Sequence, residues 1–274
     1  MTVGSVGRRW TVARRLVAIA ALASIGFAGA ASAAPVSALV VDANDGETLY
    51  SRNADLVRPP ASLAKMMTLF LVFDALDART LRLDDRITMS RHAAAQAPSK
   101  LGVPAGGEIR VRDAIRAVAV QSANDVAVAL AERLAGSEPA FARAMTARAR
   151  QLGMRHTRFG NATGLTSDAN RTSAADIATL SLAMLRTHRR DYRYFSTRAI
   201  DWGHRRLVNH NHLLGRVPGV DGIKTGYTVD AGYNLAASAT RRGRRLIAVV
   251  MGERSIAARD LRVSNLLEVG FSQP

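Results

Sequence analysis

The sequence contains no cysteine. Structural disulfides, thiol catalysis and cysteine-ligated zinc are excluded, and the redox compartment is left open. Lysine is nearly missing as well. Three lysines, Lys65, Lys100 and Lys224, stand against thirty-five arginines. Acidic residues are missing from the first 41 positions. Beyond residue 34 no segment is apolar enough to span a membrane. His210 and His212 lie close together, but no third ligand motif accompanies them. No metal or other cofactor is therefore expected, and the two histidines are expected to flank a cleft or face solvent. The chain also lacks a recognisable nucleic-acid reader motif, so its formal charge of +16 does not point to nucleic acid.

The 274 residues are 48% apolar, ample material for one large domain or two small ones. Arg8, Arg9, Arg14 and Arg15 precede an apolar stretch over 16–30. That stretch has the length of a signal sequence and is short for a membrane span. Ala31, Ser32 and Ala33 offer a small-x-small cleavage site. Residues 1–33 are thus expected to be a cleaved signal peptide of the general secretion route. The product would be soluble, in the periplasm or on the outer face of the cell envelope. The remaining chain carries +12, because the leader holds four arginines and no acid. The plain reading of this charge is a solvated, arginine-rich surface. The sharper reading is electrostatic attraction to anionic envelope polymers.

Residues 37–41 are β-rich, Asn44-Asp45-Gly46 is a turn, and 47–52 reads as the return strand. Pro59 and Pro60 block any helix upstream of Ser62, and Ser62 suits a helix start. The spacing predicts a helix over 62–78, apolar nearly all round and so buried. From 80 to 200 the pattern is mostly helical, with helices over 111–120, 125–134, 139–152 and from 172 to 186, and a loop over 159–170. Strands are expected over 220–228, 232–240 and 245–252, followed by a helix over 259–270. The chain ends supply strands and the middle supplies helices. The expected fold is α/β (α+β) and two-lobed: an antiparallel sheet built from both ends and flanked by helices, plus an inserted all-helical lobe. The sheet lobe would take 36–80 and 205–274, and the helical lobe 81–204, with a site in the cleft between them.

Ser62 and Lys65 lie three apart, which places their side chains on one helix face. A serine beside an amine is a nucleophile beside a base. Two further motifs follow in order: Ser122-Ala123-Asn124 and Lys224-Thr225-Gly226. Two of the three lysines thus fall inside motifs. The set resembles the S-x-x-K, S-x-N, K-T-G signature of penicillin-binding proteins and serine β-lactamases. Pro60-Ala61-Ser62-Leu63-Ala64-Lys65-Met66-Met67-Thr68, Asn124-Asp125, Gly164-Leu165 and the run from Asp221 to Thr228 narrow the resemblance to the serine D-alanyl-D-alanine carboxypeptidases.

The resemblance implies a β-lactamase/transpeptidase-like fold and removal of the terminal D-alanine from peptidoglycan stem pentapeptides. It also implies acylation by β-lactams. Ser62 would be the nucleophile, Lys65 the general base and Ser122 the proton relay to the leaving amine. Asn124 would hold the substrate amide or Lys65, and Thr225 the substrate carboxylate. Gly226 belongs to the same substrate-binding strand. Lys224 would attract the same carboxylate and, with burial, keep Lys65 neutral. The backbone amides of Ser62 and Tyr227 would form the oxyanion hole.

A D,D-endopeptidase would use the same residues on cross-links. A class A β-lactamase needs a carboxylate for deacylation, and Glu138 stands in roughly the right region without that enzyme's motif. A catalytically silent wall-binding protein is the remaining alternative. Many carboxypeptidases of this family continue into a β-rich domain and an amphipathic anchor helix. Neither is expected here, because the sequence ends at Pro274.

Overall fold

The two chain ends meet in one sheet. The computed structural model describes residues 1–2 and 35–273, so the expected leader, its first two residues apart, lies outside the described residues. Strands β1 (Ser37–Asp42) and β2 (Thr48–Arg52) form the first hairpin. The chain then turns through Ala61–Leu63 into helix α1 (Ala64–Asp77). A short hairpin of β3 (Arg86–Thr88) and β4 (Glu108–Arg110) flanks the four-residue α2 (Arg91–Ala94). Helices α3 (Val111–Arg116), α4 (Asn124–Ala135), α5 (Glu138–Gln151) and α6 (Ala174–Thr187) follow. A second short hairpin, β5 (Ala199–Trp202) and β6 (Arg205–Val208), precedes three long strands. These are β7 (Val220–Thr228), β8 (Gly232–Arg241) and β9 (Arg244–Glu253), and α7 (Ile256–Ser272) closes the fold.

The main sheet has the order β2-β1-β9-β8-β7 and is antiparallel throughout. Both of its faces are covered. Leu39 and Val41 of β1 and Ile247, Val249 and Met251 of β9 share a core with α1 and α6. The alternate residues Ala38, Val40, Leu246, Ala248 and Val250 face Val263 and Leu267 of α7. Side chains of a strand point to opposite faces in turn, so a doubly covered strand must be apolar on both. That is why 37–41 alternates only weakly.

Helix α1 is the axis of the molecule. Leu63, Met66, Met67, Leu69, Phe70, Val72 and Phe73 are fully buried, as expected of a helix apolar on all sides. It touches α4 and α5 on one side and α6 on the other. Helix α6 lies against β1 and β9, so it belongs with the sheet although it falls within the span expected for the helical lobe. The short strands β3 to β6 were not expected, β3 and β4 falling within the helical reading of 80–200, because three or four residues are too few to show alternation. Among the described residues no helix is long and apolar enough to cross a membrane.

Candidate active site

Three segments converge at the start of α1. The turn Ala61–Leu63 packs against β7, an edge strand of the main sheet. Ala61 has φ +48°, a left-handed conformation that costs a non-glycine residue about 1–2 kcal/mol. Two glycines let other segments close on this turn. A Cβ on Gly226 would meet the amide of Ser62 at 3.0 Å, and one on Gly164 would run into the carbonyl of Ala61. Ser62 sits inside the turn and caps nothing; no side chain bonds the first amides of α1. Ser62 thus stands at the start of the helical run, as expected, but not as a cap. Its hydroxyl faces Lys65 instead.

The Lys65 side chain is fully buried. Its amine lies 3.0 Å from Ser62 Oγ, 2.6 Å from Asn124 Oδ1 and 2.6 Å from the carbonyl oxygen of Thr163. The amide and carbonyl oxygens can only accept hydrogen bonds, whereas a hydroxyl can also donate. A neutral amine has two N–H groups and one lone pair. With both N–H groups given to Asn124 and Thr163, the lone pair is left facing the Ser62 hydroxyl. Burial, followed by repulsion from Lys224, pushes the Lys65 pKa well below the ordinary lysine value. Asp125 and Glu138 pull the other way and do not reverse it.

Lys224 reaches this point from β7 and is itself buried. Burial and the guanidinium of Arg259 lower its pKa to about 7. Arg259, on the first turn of α7, is also buried and is oriented by Asp260, which accepts from Arg259 Nε at 2.9 Å and Nη2 at 2.6 Å. His210 borders the same space, and burial with the nearby cations lowers its pKa to about 4. His212 Nδ1 faces Asp260 at 3.3 Å. Lys224, Arg259 and neutral His210 thus make a cation-rich wall suited to an anionic group. Among the described residues no group of three or more His, Asp or Glu is placed to hold a metal ion.

Ser122 is brought in by a widened helical turn, Ala117–Gln121, that ends with Ser122 at φ +59°. Its hydroxyl is buried and has no hydrogen-bond partner among the described residues. Asn124 is held from both sides: its Nδ2 donates to the carbonyl of Ala97 at 2.8 Å while Oδ1 takes the Lys65 amine. Of the two expected roles for Asn124, the geometry occupies it with Lys65. Asp125 accepts from the amides of Leu101 and Gly102 and so pins the 97–102 loop beside the site. Glu138 does not line the cleft. One oxygen accepts from the amide of Ala162 at 3.0 Å and the other faces His92 Nε2 at 2.9 Å. Its role is to hold the loop that presents the Thr163 carbonyl.

The cleft above these groups has a volume of about 480 Å³. Ser62, Ser122, Asn124, Thr225, Gly226 and Tyr227 all line it. Lys65 and Lys224 are buried beside it. Tyr227 is half exposed and stacks on Tyr233, with ring centres 4.3 Å apart. Arg259, Asp125 and the Thr163 carbonyl were not among the sequence-derived site residues. Asp125 stood next to a motif, but Arg259 is one of thirty-five arginines and nothing in its neighbours marks it.

The D-alanyl-D-alanine carboxypeptidase DacF of Bacillus subtilis (strain 168) is 37% identical over 245 residues, which cover 86% of this chain and 62% of that protein. The chain therefore spans less than two thirds of that relative's length. The D-alanyl-D-alanine endopeptidase of Escherichia coli (strain K12) is 33% identical over 273 residues, covering 94% of this chain and 84% of the relative. The crystal structure of penicillin binding protein 5 from Haemophilus influenzae superposes with a TM-score of 0.84 at 35% identity, over 86% of this chain and 70% of that one. Residues 27–255 match the family model described as D-alanyl-D-alanine carboxypeptidase, and with the serine, the two buried lysines and the edge strand arranged as above, the chain belongs to that family, peptidase S11.

Proposed function

We propose that this chain is a serine D,D-carboxypeptidase that removes the terminal D-alanine from peptidoglycan stem pentapeptides. The observation that carries this reading is the Lys65 amine, with both N–H groups committed and its lone pair on Ser62. Ser62 attacks the carbonyl between the two D-alanines while its proton passes to Lys65. The amides of Ser62 and Tyr227 receive the developing oxyanion. The carbon–nitrogen bond then breaks as Ser122, whose hydroxyl has no partner among the described residues, passes a proton to the departing amine. Water attacks the resulting ester by the same route in reverse, releasing the shortened peptide and restoring Ser62. The substrate's terminal carboxylate is drawn to Thr225, Lys224 and Arg259. The peptide lies along the outer side of β7, which no strand pairs among the described residues.

Among the described residues no carboxylate lines the cleft to activate water in the manner of a class A β-lactamase, and Glu138 is committed to Ala162 and His92. The endopeptidase reading has one specific support, the similarity to a D-alanyl-D-alanine endopeptidase over most of that protein's length. The deciding experiment measures D-alanine release from a pentapeptide, cleavage of a cross-linked muropeptide and acylation by labelled penicillin. Carboxypeptidase action predicts fast release of D-alanine and slow cleavage of the cross-link. Ser62→Ala is expected to abolish release and acylation together. Retention of both by that variant would remove Ser62 as nucleophile.

A further inference from the structure

A second groove lies apart from the catalytic cleft. It lies between α5 and the 153–171 segment and has a volume of about 860 Å³. It shares no lining residue with the cleft. Five arginines line it: Arg143, Arg150, Arg155, Arg158 and Arg171, with no acidic residue among them. All five are exposed, and among the described residues none forms an ion pair or a side-chain hydrogen bond. Their placement is fixed by the fold. Arg158 and Arg171 oppose each other across an antiparallel bridge, with reciprocal backbone hydrogen bonds of 2.9 Å. Like charges directly opposite each other on paired strands are destabilising. The floor is apolar and buried, formed by Ala142, Met154 and Phe159, which strengthens the field above it.

We infer that this groove binds a phosphodiester polymer without bases, as a site separate from the peptidase chemistry. Five uncompensated charges along one groove suit a chain of anions better than a single anion. Guanidinium groups match phosphate oxygens with paired N–H donors, and the groove holds no lysine. Its one aromatic residue, Phe159, is buried, so no ring is presented for base stacking. Bound phosphates between Arg158 and Arg171 convert a repulsive pair into a bridged one.

The test titrates the full chain with a synthetic ten-unit glycerol-phosphate oligomer at low and physiological salt. The comparison ligands are single-stranded DNA and polyglutamate of equal charge. Arg158→Gln with Arg171→Gln is expected to weaken glycerol-phosphate binding at least tenfold, to leave D-alanine release unchanged and to raise the melting temperature of the ligand-free protein. Arg143→Gln with Arg150→Gln on α5 reads the same loss without touching the bridge. Arg189→Gln with Arg190→Gln, elsewhere on the surface, is expected to change binding less than twofold. An equal loss in that control would reduce the effect to net charge and overturn the site. Equal or tighter binding of DNA or polyglutamate overturns the ligand class, and no binding to the wild type overturns both.

Discussion

A lysine that is buried next to another lysine must lose a proton or lose its place. Lys65 is held well below the ordinary range chiefly by burial, and Lys224 sits near 7. The sign of the stability effect follows. Between about pH 7 and the unfolded lysine value the unfolded chain binds more protons than the folded one, so stability rises with pH across that window. The Lys224 contribution amounts to several kcal/mol and is absent below pH 7, where both states are protonated. Thermal unfolding of Lys224→Met, compared with the wild type from pH 6 to 10, is expected to show a smaller rise, the part due to the burial of Lys65 remaining. Arg259 makes a second prediction. Removing its charge raises the Lys224 pKa, so Lys224 stays cationic to higher pH. The Arg259→Gln variant is expected to shift the alkaline limb of the kcat/KM profile upward and to raise KM for a carboxylate-ended peptide by roughly tenfold, a loss of about 1.4 kcal/mol. An unmoved limb would separate Arg259 from Lys224. His210, near 4, stays neutral throughout and contributes no step to the profile.

Elements place these residues by close approach. Gly164 has φ +77° and leaves no room for a Cβ against the Ala61 carbonyl. Gly164→Ala is expected to cost about 2–4 kcal/mol, from a backbone clash and an unfavourable φ together. It should also lower kcat through displacement of the neighbouring Thr163 carbonyl, which denaturant melts and steady-state rates will show. Ser255 caps α7 by accepting from the amide of Ala258 at 3.1 Å, and Ser255→Ala is expected to cost about 1 kcal/mol. What was legible beforehand follows from element length. The spacing of Ser62 and Lys65, the long strands β7 to β9 and the apolar α1 all leave local patterns. The short hairpins leave none. Arg259 is thirty-five residues beyond Lys224 and meets it only because α7 folds back along β8 and β9. That contact is a property of the tertiary fold, with no trace in local spacing.

At the scale of the molecule, charge is the remaining variable. The chain carries +16 overall, and the attraction of such a surface to anionic polymers is screened by salt. Retention of the protein on isolated cell walls is expected to fall steeply between 50 and 500 mM salt, whatever the state of Ser62. Retention that survives high salt would point to a contact other than charge. The proposal of an exported enzyme is checked by fractionation and by sequencing of the mature N-terminus, with position 34 as the expected start.

The amine of Lys65 also joins parts of the chain that are far apart in sequence. Its partners come from residues 62, 124 and 163, and the charge that restrains it comes from 224 and, behind that, 259. If any one of these segments loosens, water reaches the amine, the amine takes up a proton, and the serine beside it becomes an ordinary alcohol. The chemistry therefore works as an assembly check. Breaking one of these contacts is expected to lower acylation by labelled penicillin before circular dichroism shows any loss of fold.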